Sequence, residues 1–202
     1  FKISSSDITN FELLKSVAKT KKPVLLSTGA SNISEIQIAV NYLKKNGTSK
    51  ISLMHCILNY PTDNLNANLG MIIGIKKKFP SYKVGYSDHT RPDNNLSNLF
   101  IATLLGAEVI EKHFTDNKKK IGNDHYHSMD YKNLLNLRIN LKKLRQLYGS
   151  EKKDFLISEK NSRKFARRAI YTTKKIKKGQ KLTNLDIIAK RPLLNGLSAS
   201  YF

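Results

Sequence analysis

Apolar and polar residues alternate along the first three quarters of the chain in a way that predicts five strand–helix repeats. Short apolar runs, typical of strands buried on both faces, precede longer segments with apolar residues every three or four positions. The predicted strands cover residues 1–3, 23–28, 51–55, 83–87 and 109–113. The predicted helices cover about residues 10–19, 32–47, 67–78, 92–105 and 130–149. This alternation is typical of a parallel α/β fold.

Five such units do not close a barrel, which needs eight. A doubly wound sheet is complete with five strands, but no glycine-rich phosphate loop follows the first predicted strand. The sequence starts without Met and stops abruptly at Phe202. We therefore expect a fragment, with residues 1–149 forming the last five units of a partial TIM (β/α)8 barrel.

The pattern changes after residue 149. Residues 150–165 are mostly polar and predict a linker. A strand is predicted near residues 168–173, a turn near 177–180 and a short helix start near 183–186. We expect residues 166–202 to be the start of a second, small and β-rich domain.

Composition limits the function classes. The sequence has 202 residues, 40% of them hydrophobic, and no apolar run near the ~20 residues of a membrane span. Its single cysteine, Cys56, excludes an intramolecular disulfide framework, and we expect a cytoplasmic location with no signal peptide. The net charge is +21, but it is spread along the chain without a nucleic-acid-binding motif. We expect neither a nucleic acid nor a membrane as partner; a positive field would also attract an anionic small substrate.

Two histidines carry the clearest chemical signal. His89 and His113 lie at the carboxyl ends of the fourth and fifth predicted strands. In parallel α/β folds the chemistry is at this edge, and two imidazoles there could bind one divalent metal. The alternative is that each imidazole merely bonds a backbone carbonyl at its strand end.

Five segments in order resemble the sialic acid synthase family, which includes N-acetylneuraminate, legionaminate and pseudaminate synthases. They are Lys2-Ile3-Ser4-Ser5, Leu26-Ser27-Thr28-Gly29, His55-Cys56 with Tyr60-Pro61-Thr62, Gly85-Tyr86-Ser87-Asp88-His89-Thr90 and Glu111-Lys112-His113-Phe114-Thr115. The tail, Ile176–Gly179 through Lys190–Pro192, resembles the antifreeze-like (SAF) domain that follows the barrel in that family. Each motif is weak alone, but the ordered set is specific.

The resemblance implies a transferase reaction. Phosphoenolpyruvate condenses with the open-chain aldehyde of an N-acetylated hexosamine, usually N-acetylmannosamine, and gives a nine-carbon 2-keto sugar acid and phosphate. A divalent metal, Mn²⁺ or Mg²⁺, polarises the aldehyde. The alternatives are a legionaminate or pseudaminate synthase of the same family and a non-catalytic binding module. We expect the fragment alone to be inactive.

The resemblance also implies residue roles. His89 and His113 match the metal ligands, and Lys2, Ser5, Ser27 and Ser87 match the groups around phosphoenolpyruvate. Asp124 matches a ligand of a substrate hydroxyl, and Tyr60 matches a residue lining the sugar pocket. The catalytic set is then Lys2, His89, His113 and Asp124. Arg191 matches an arginine that a neighbouring subunit inserts over the barrel mouth, which implies a domain-swapped homodimer.

Two departures from the family pattern lie near the expected sugar pocket. Leu58 stands where the family has a polar substrate contact, and Asn59 is a candidate replacement. His125 and His127 stand in the segment after Asp124, where the best-known members have no histidine. Both histidines could face the pocket, but we expect them to be loop residues.

Overall fold

The computed structural model describes residues 1–122 and 124–201, so Asn123, in the segment before His125, and Phe202 lie outside the described residues. The chain divides into two compact units, Phe1–Tyr148 and Gly149–Phe202. In the described residues, no helix is long and apolar enough to span a membrane.

The first unit is built on a parallel sheet of five strands that follow one another in chain order. The strands are β1 (Lys2–Ile3), β2 (Val24–Ser27), β3 (Ile51–His55), β4 (Lys83–Asp88) and β5 (Val109–Lys112). The α-helices between and after them are α1 (Phe11–Lys19), α2 (Ile33–Lys45), α3 (Met71–Lys78), α4 (Ser97–Leu104) and α5 (Tyr131–Tyr148). The predicted α/β class is confirmed, and the sheet is consistent with part of a TIM barrel.

The two faces of the sheet differ in chemistry. Residues of one face join the helices in the apolar core; they include Val24, Leu26, Leu53 and Val84, all fully buried. The strand register pairs Ser27 with Met54, Met54 with Gly85 and Ser87 with Glu111 on the other face. Successive side chains of a strand point to opposite faces, so one face is apolar except at the ends of β4 and β5, and the other carries polar side chains.

Local capping decides where the helices begin. The Asn32 side chain accepts from Glu35 N at 3.0 Å and Glu35 Oε2 accepts from Asn32 N at 2.8 Å, and these two bonds form a capping box at α2. The predicted start of α4 near residue 92 is wrong. Asp93 Oδ1 instead accepts from Asn95 N and Ser97 N at 2.9 and 3.0 Å, and this turn delays the helix to Ser97.

The second unit contains a helix and a two-stranded sheet. Helix α6 (Lys160–Ala166) lies in the segment predicted as a linker. Strands β6 (Ala169–Thr172) and β7 (Ile187–Lys190) pair antiparallel. Asp186 accepts from Thr183 N and Thr183 Oγ1 at 3.0 and 2.8 Å, so this carboxylate closes the turn before β7. That this unit is a SAF domain stays a prediction.

Candidate active site and metal centre

His89 and His113 meet at the carboxyl edge of the sheet. Each follows its strand directly, β4 or β5, and these strands are neighbours. The ring centroids are 5.6 Å apart and the ring planes are at 80°. The structure therefore brings together the two imidazoles that the sequence singled out as a metal pair.

His89 is held in one tautomer. Its Nδ1 lies 2.7 Å from Ile57 O, and because a carbonyl only accepts, Nδ1 must donate. The lone pair is then on Nε2, which is the arrangement of a metal-binding histidine whose other nitrogen is fixed by a carbonyl. Burial lowers the pKa of His89 and favours this neutral form. The carbonyl bond expected under the alternative interpretation is thus present, and it is compatible with metal binding.

Two backbone hydrogen bonds close the loop that follows His113. Thr115 N donates to Met129 O at 2.8 Å, and Met129 N donates to His113 O at 2.9 Å. These bonds bring Asp124 and His127 to His113. Asp124 Oδ2 lies 3.3 Å from His113 Nδ1, and the rings of His113 and His127 are 5.1 Å apart.

His125 and His127 have different surroundings, although only one residue separates them in one short 3₁₀ turn. His125 Nδ1 bonds Thr115 Oγ1 at 2.8 Å and stays in the loop, as expected. His127 is fully buried and joins the cluster, so the expectation of a plain loop residue is wrong for it. His113, Asp124 and His127 each offer a ligand atom, and these atoms lie within 4.8 Å of one another. The three residues could hold a metal ion.

Tyr60 covers the imidazoles. Its ring centroid is 4.1 Å from that of His89, 5.9 Å from His113 and 6.2 Å from His127. Burial raises the pKa of its phenol, so the hydroxyl stays protonated and can donate a hydrogen bond. Leu58, two residues earlier, is 38% exposed.

A group of polar side chains, Lys2, Ser27, Ser87 and Glu111, lies beside the histidines on the same face of the sheet. Lys2 Nζ lies 3.2 Å from Glu111 Oε1, and Ser87 Oγ donates to that oxygen at 3.0 Å. Ser27 Oγ is buried without a hydrogen-bond partner in the described part of the chain. Glu111 was not among the site residues expected from the sequence. Its position two residues before His113, hence on the same face of the sheet, is the signal that could have found it.

Ser5 is fixed by a close approach of the chain. Gly29 N donates to Ser5 Oγ at 2.9 Å, and Cys56 Sγ lies 3.0 Å from the same oxygen. A Cβ on Gly29 would lie 2.8 Å from Ser5 Oγ, so this approach requires glycine. Ser5 therefore lies between the ends of β2 and β3. Its hydrogen bonds are separate from those that join Lys2, Ser87 and Glu111.

A buried ion pair links β4 and β5 on the opposite face. Lys112 Nζ lies 2.7 Å from Asp88 Oδ2 and donates to Thr90 O at 2.7 Å, with the two charged side chains 0% and 2% exposed. Asp88 Oδ1 also accepts from Tyr86 Oη, Thr90 N and Thr90 Oγ1, at 2.9, 2.9 and 2.7 Å. Burial lowers the pKa of Lys112, and the Asp88 charge opposes this shift. Because His89 follows Asp88 and His113 follows Lys112, the pair ties together the strand ends that carry the imidazoles.

Arg191 belongs to the second unit. It directly follows β7 and is exposed. Its expected role across a subunit boundary stays a prediction.

Fold and site together define a barrel-type α/β protein with a histidine–carboxylate cluster and a polar group at the carboxyl edge of its sheet. Residues 1–153 match the NeuB family, and the chain belongs to that family. The resemblance drawn from the sequence is thereby confirmed; the SAF assignment lies outside what this match shows.

Individual proteins of known sequence or structure are also similar to this chain. An uncharacterised protein of Methanocaldococcus jannaschii is 43% identical over 192 residues, which cover 95% of this chain and 56% of that protein. The N,N'-diacetyllegionaminic acid synthase of Campylobacter jejuni is 39% identical over 201 residues, or 98% of this chain and 59% of the synthase. A crystal structure of the N-acetylneuraminic acid synthetase of Leptospira borgpetersenii with citrate matches with a TM-score of 0.73 at 35% identity, covering 80% of this chain and 55% of that one. The chain thus spans a little over half the length of these relatives.

Proposed function

We propose that this chain is the part of a sugar-acid synthase that binds phosphoenolpyruvate and an N-acetylated hexosamine and joins them. The products are a nine-carbon 2-keto sugar acid and phosphate, with one water consumed. The convergence of His89, His113 and Asp124 beside Lys2 and Ser87 at one edge of the sheet carries this proposal. Relatives named as sialic and legionaminic acid synthases support it.

The group of polar side chains suits phosphoenolpyruvate, which carries both a phosphate and a carboxylate. The Lys2 ammonium and the Ser27 and Ser87 hydroxyls can donate to phosphate and carboxylate oxygens. Ser27 Oγ, buried and unpartnered among the described residues, is a donor that awaits an acceptor. Glu111 holds Lys2 and Ser87 in place until the anion arrives, since both contact its Oε1. In this proposal Ser5 shapes the floor of the pocket through Gly29 and Cys56.

The imidazoles suit the electrophile. His89 Nε2 and the His113 ring would hold a divalent ion, Mn²⁺ or Mg²⁺, which when bound supplies Lewis acidity to the aldehyde oxygen. One oxygen of the Asp124 carboxylate accepts a hydrogen bond from a sugar hydroxyl, and Tyr60 covers the imidazoles. Carbon 3 of phosphoenolpyruvate then forms the new bond to the aldehyde carbon, whose oxygen takes up a proton. Water adds to carbon 2, and the bond from carbon 2 to the phosphate oxygen breaks, which leaves the keto group and releases phosphate.

The identity of the sugar has two candidates. N-acetylmannosamine, leading to N-acetylneuraminate, is the first. The diacetamido precursor of legionaminate is the second, and the exposed Leu58 favours it because an apolar side chain suits an added acetyl methyl better than a hydroxyl. The identity to the legionaminic acid synthase points the same way.

The second unit would complete the site in a homodimer. In this proposal the exposed Arg191 reaches the neighbouring subunit's barrel and donates to the acetyl carbonyl of the sugar. A cytoplasmic location fits substrates made in that compartment and stays a prediction.

A phosphate-release assay on the full-length protein containing this chain tests the proposal. With phosphoenolpyruvate, Mn²⁺ and either hexosamine, we expect phosphate and a nine-carbon acid identified by mass spectrometry. Lys2→Met should raise KM for phosphoenolpyruvate about 10- to 100-fold, since it removes a charge-assisted contact. Lys22 is an exposed lysine, so Lys22→Met is the matched control and should leave the KM for phosphoenolpyruvate unchanged. Absence of phosphate release with every hexosamine would instead favour the non-catalytic binding module.

A further inference from the structure

His127 is a buried imidazole without a hydrogen-bond partner. Its side chain is 0% exposed, and neither ring nitrogen has a partner among the described residues. Leaving a buried polar group unpaired is costly, and native structures rarely do so. The chain's other buried histidines satisfy this rule: His89 bonds Ile57 O at 2.7 Å and His55 bonds Ala67 O at 2.9 Å. His127 therefore needs a partner that the protein chain itself does not supply in the described residues.

The surroundings of His127 indicate what that partner is. Its Nε2 lies 3.8 Å from Asp124 Oδ1, which is too long for a hydrogen bond. Asp124 Oδ2 lies 3.3 Å from His113 Nδ1, so the carboxylate approaches a nitrogen of each ring. Ligand atoms around one ion, each about 2.0–2.2 Å from it, are about 3–3.5 Å apart. Side-chain adjustments of about 1 Å would bring the three ligand atoms, now within 4.8 Å, to that spacing.

We propose that His113, Asp124 and His127 form a three-ligand site for a divalent transition metal. The inference deepens the proposed function by naming the ligands and metal class of that same site, and it rests on that function only for the ion's use in catalysis. Two imidazoles and one carboxylate suit Mn²⁺, Fe²⁺ or Zn²⁺, whereas Mg²⁺ prefers oxygen ligands in a near-ideal octahedron. The site therefore selects a transition metal over Mg²⁺. His89, whose ring centroid is 5.6 Å from that of His113, supplies a further ligand to the same ion beside these three residues.

The loop that follows His113 in this chain places His127 at the site. The bonds from Thr115 N and Met129 N close the loop, and a 3₁₀ turn, His125–His127, directs two histidines in different directions. His125 Nδ1 already forms a hydrogen bond with Thr115 Oγ1. It therefore serves as a matched control: the same residue type, two positions away, outside the ligand set.

Metal binding by the full-length, metal-stripped protein tests the proposal without any substrate. Calorimetric titration with Mn²⁺ and with Mg²⁺ should give much tighter Mn²⁺ binding for the unaltered protein. His127→Asn and Asp124→Asn should each weaken Mn²⁺ binding by at least about 10- to 100-fold, the loss known even for residues that merely orient ligands. His125→Asn should bind like the unaltered protein.

Pulsed electron paramagnetic resonance of bound Mn²⁺ supplies a readout that does not depend on stability. Nitrogen couplings should show one imidazole fewer in His127→Asn than in His125→Asn. Mn²⁺ affinity and nitrogen couplings unchanged in His127→Asn would overturn the inference, even if His89→Asn abolished binding and the synthase reaction proceeded. A protein that binds Mn²⁺ as expected but releases no phosphate would instead contradict the proposed function alone.

Discussion

The buried pair of Lys112 and Asp88 offers a test of how much a desolvated charge contributes to this fold. Lys112→Met keeps the length of the apolar stem but removes the ammonium and its two bonds, to Asp88 Oδ2 and Thr90 O. Asp88 would remain charged and buried, with one oxygen unpaired. Removing one partner of a buried pair costs about 3–5 kcal/mol. Because Asp88 Oδ1 keeps three other hydrogen bonds, we expect the lower end, about 3 kcal/mol.

The chain contains a control with the same geometry. Lys120 Nζ lies 2.7 Å from Asp116 Oδ2, the same distance as in the buried pair, but the side chains are 48% and 72% exposed. Solvent screens such pairs, so Lys120→Met should destabilise the protein far less than Lys112→Met. The comparison thus varies burial while it keeps the distance and the residue types constant.

Thermal unfolding followed by circular dichroism measures both variants. For a domain of this size, about 3 kcal/mol corresponds to a decrease in Tm of about 6–12 °C. Combining Lys112→Met with Asp88→Asn should cost less than the sum of the two single changes, because the unpaired charge is gone. Equal, small losses from Lys112→Met and Lys120→Met would refute the reasoning that burial makes the pair important.

Three further predictions have definite expected outcomes. Gly85→Ala should destabilise the protein in urea unfolding, because its Cβ would lie 2.7 Å from Val109 O, whereas Gly74→Ala in α3, with nothing within 4 Å, should stabilise it by up to about 1 kcal/mol. Burial lowers the pKa of His55 from 6.5, so its contribution to stability is full above that pH and is lost as pH falls; His55→Gln should flatten the decrease in Tm between about pH 7.5 and 5, and an unchanged slope would contradict this. Arg191→Ala in the full-length protein should raise KM for the sugar but not for phosphoenolpyruvate, and mixed dimers with His89→Ala subunits should recover activity only if the arginine acts across subunits.

The sequence alone predicted much of the architecture because the relevant signals are local. Short apolar runs and three- to four-residue periodicity located the five strands and their helices. The capping box of Asn32 and Glu35 is equally local, because its partners are three residues apart. His89 and His113 could be placed at one edge because parallel strands end together.

Tertiary structure decided which side chains meet. Ser87 and Glu111, like Asp88 and Lys112, are 24 residues apart and pair only because the register of β4 and β5 sets them opposite each other. The burial of His127 depends on how the loop after His113 closes on Met129, and no periodicity encodes that closure. Apolar pattern and capping are set within a few residues of the chain, whereas register and loop closure are set by packing between distant segments.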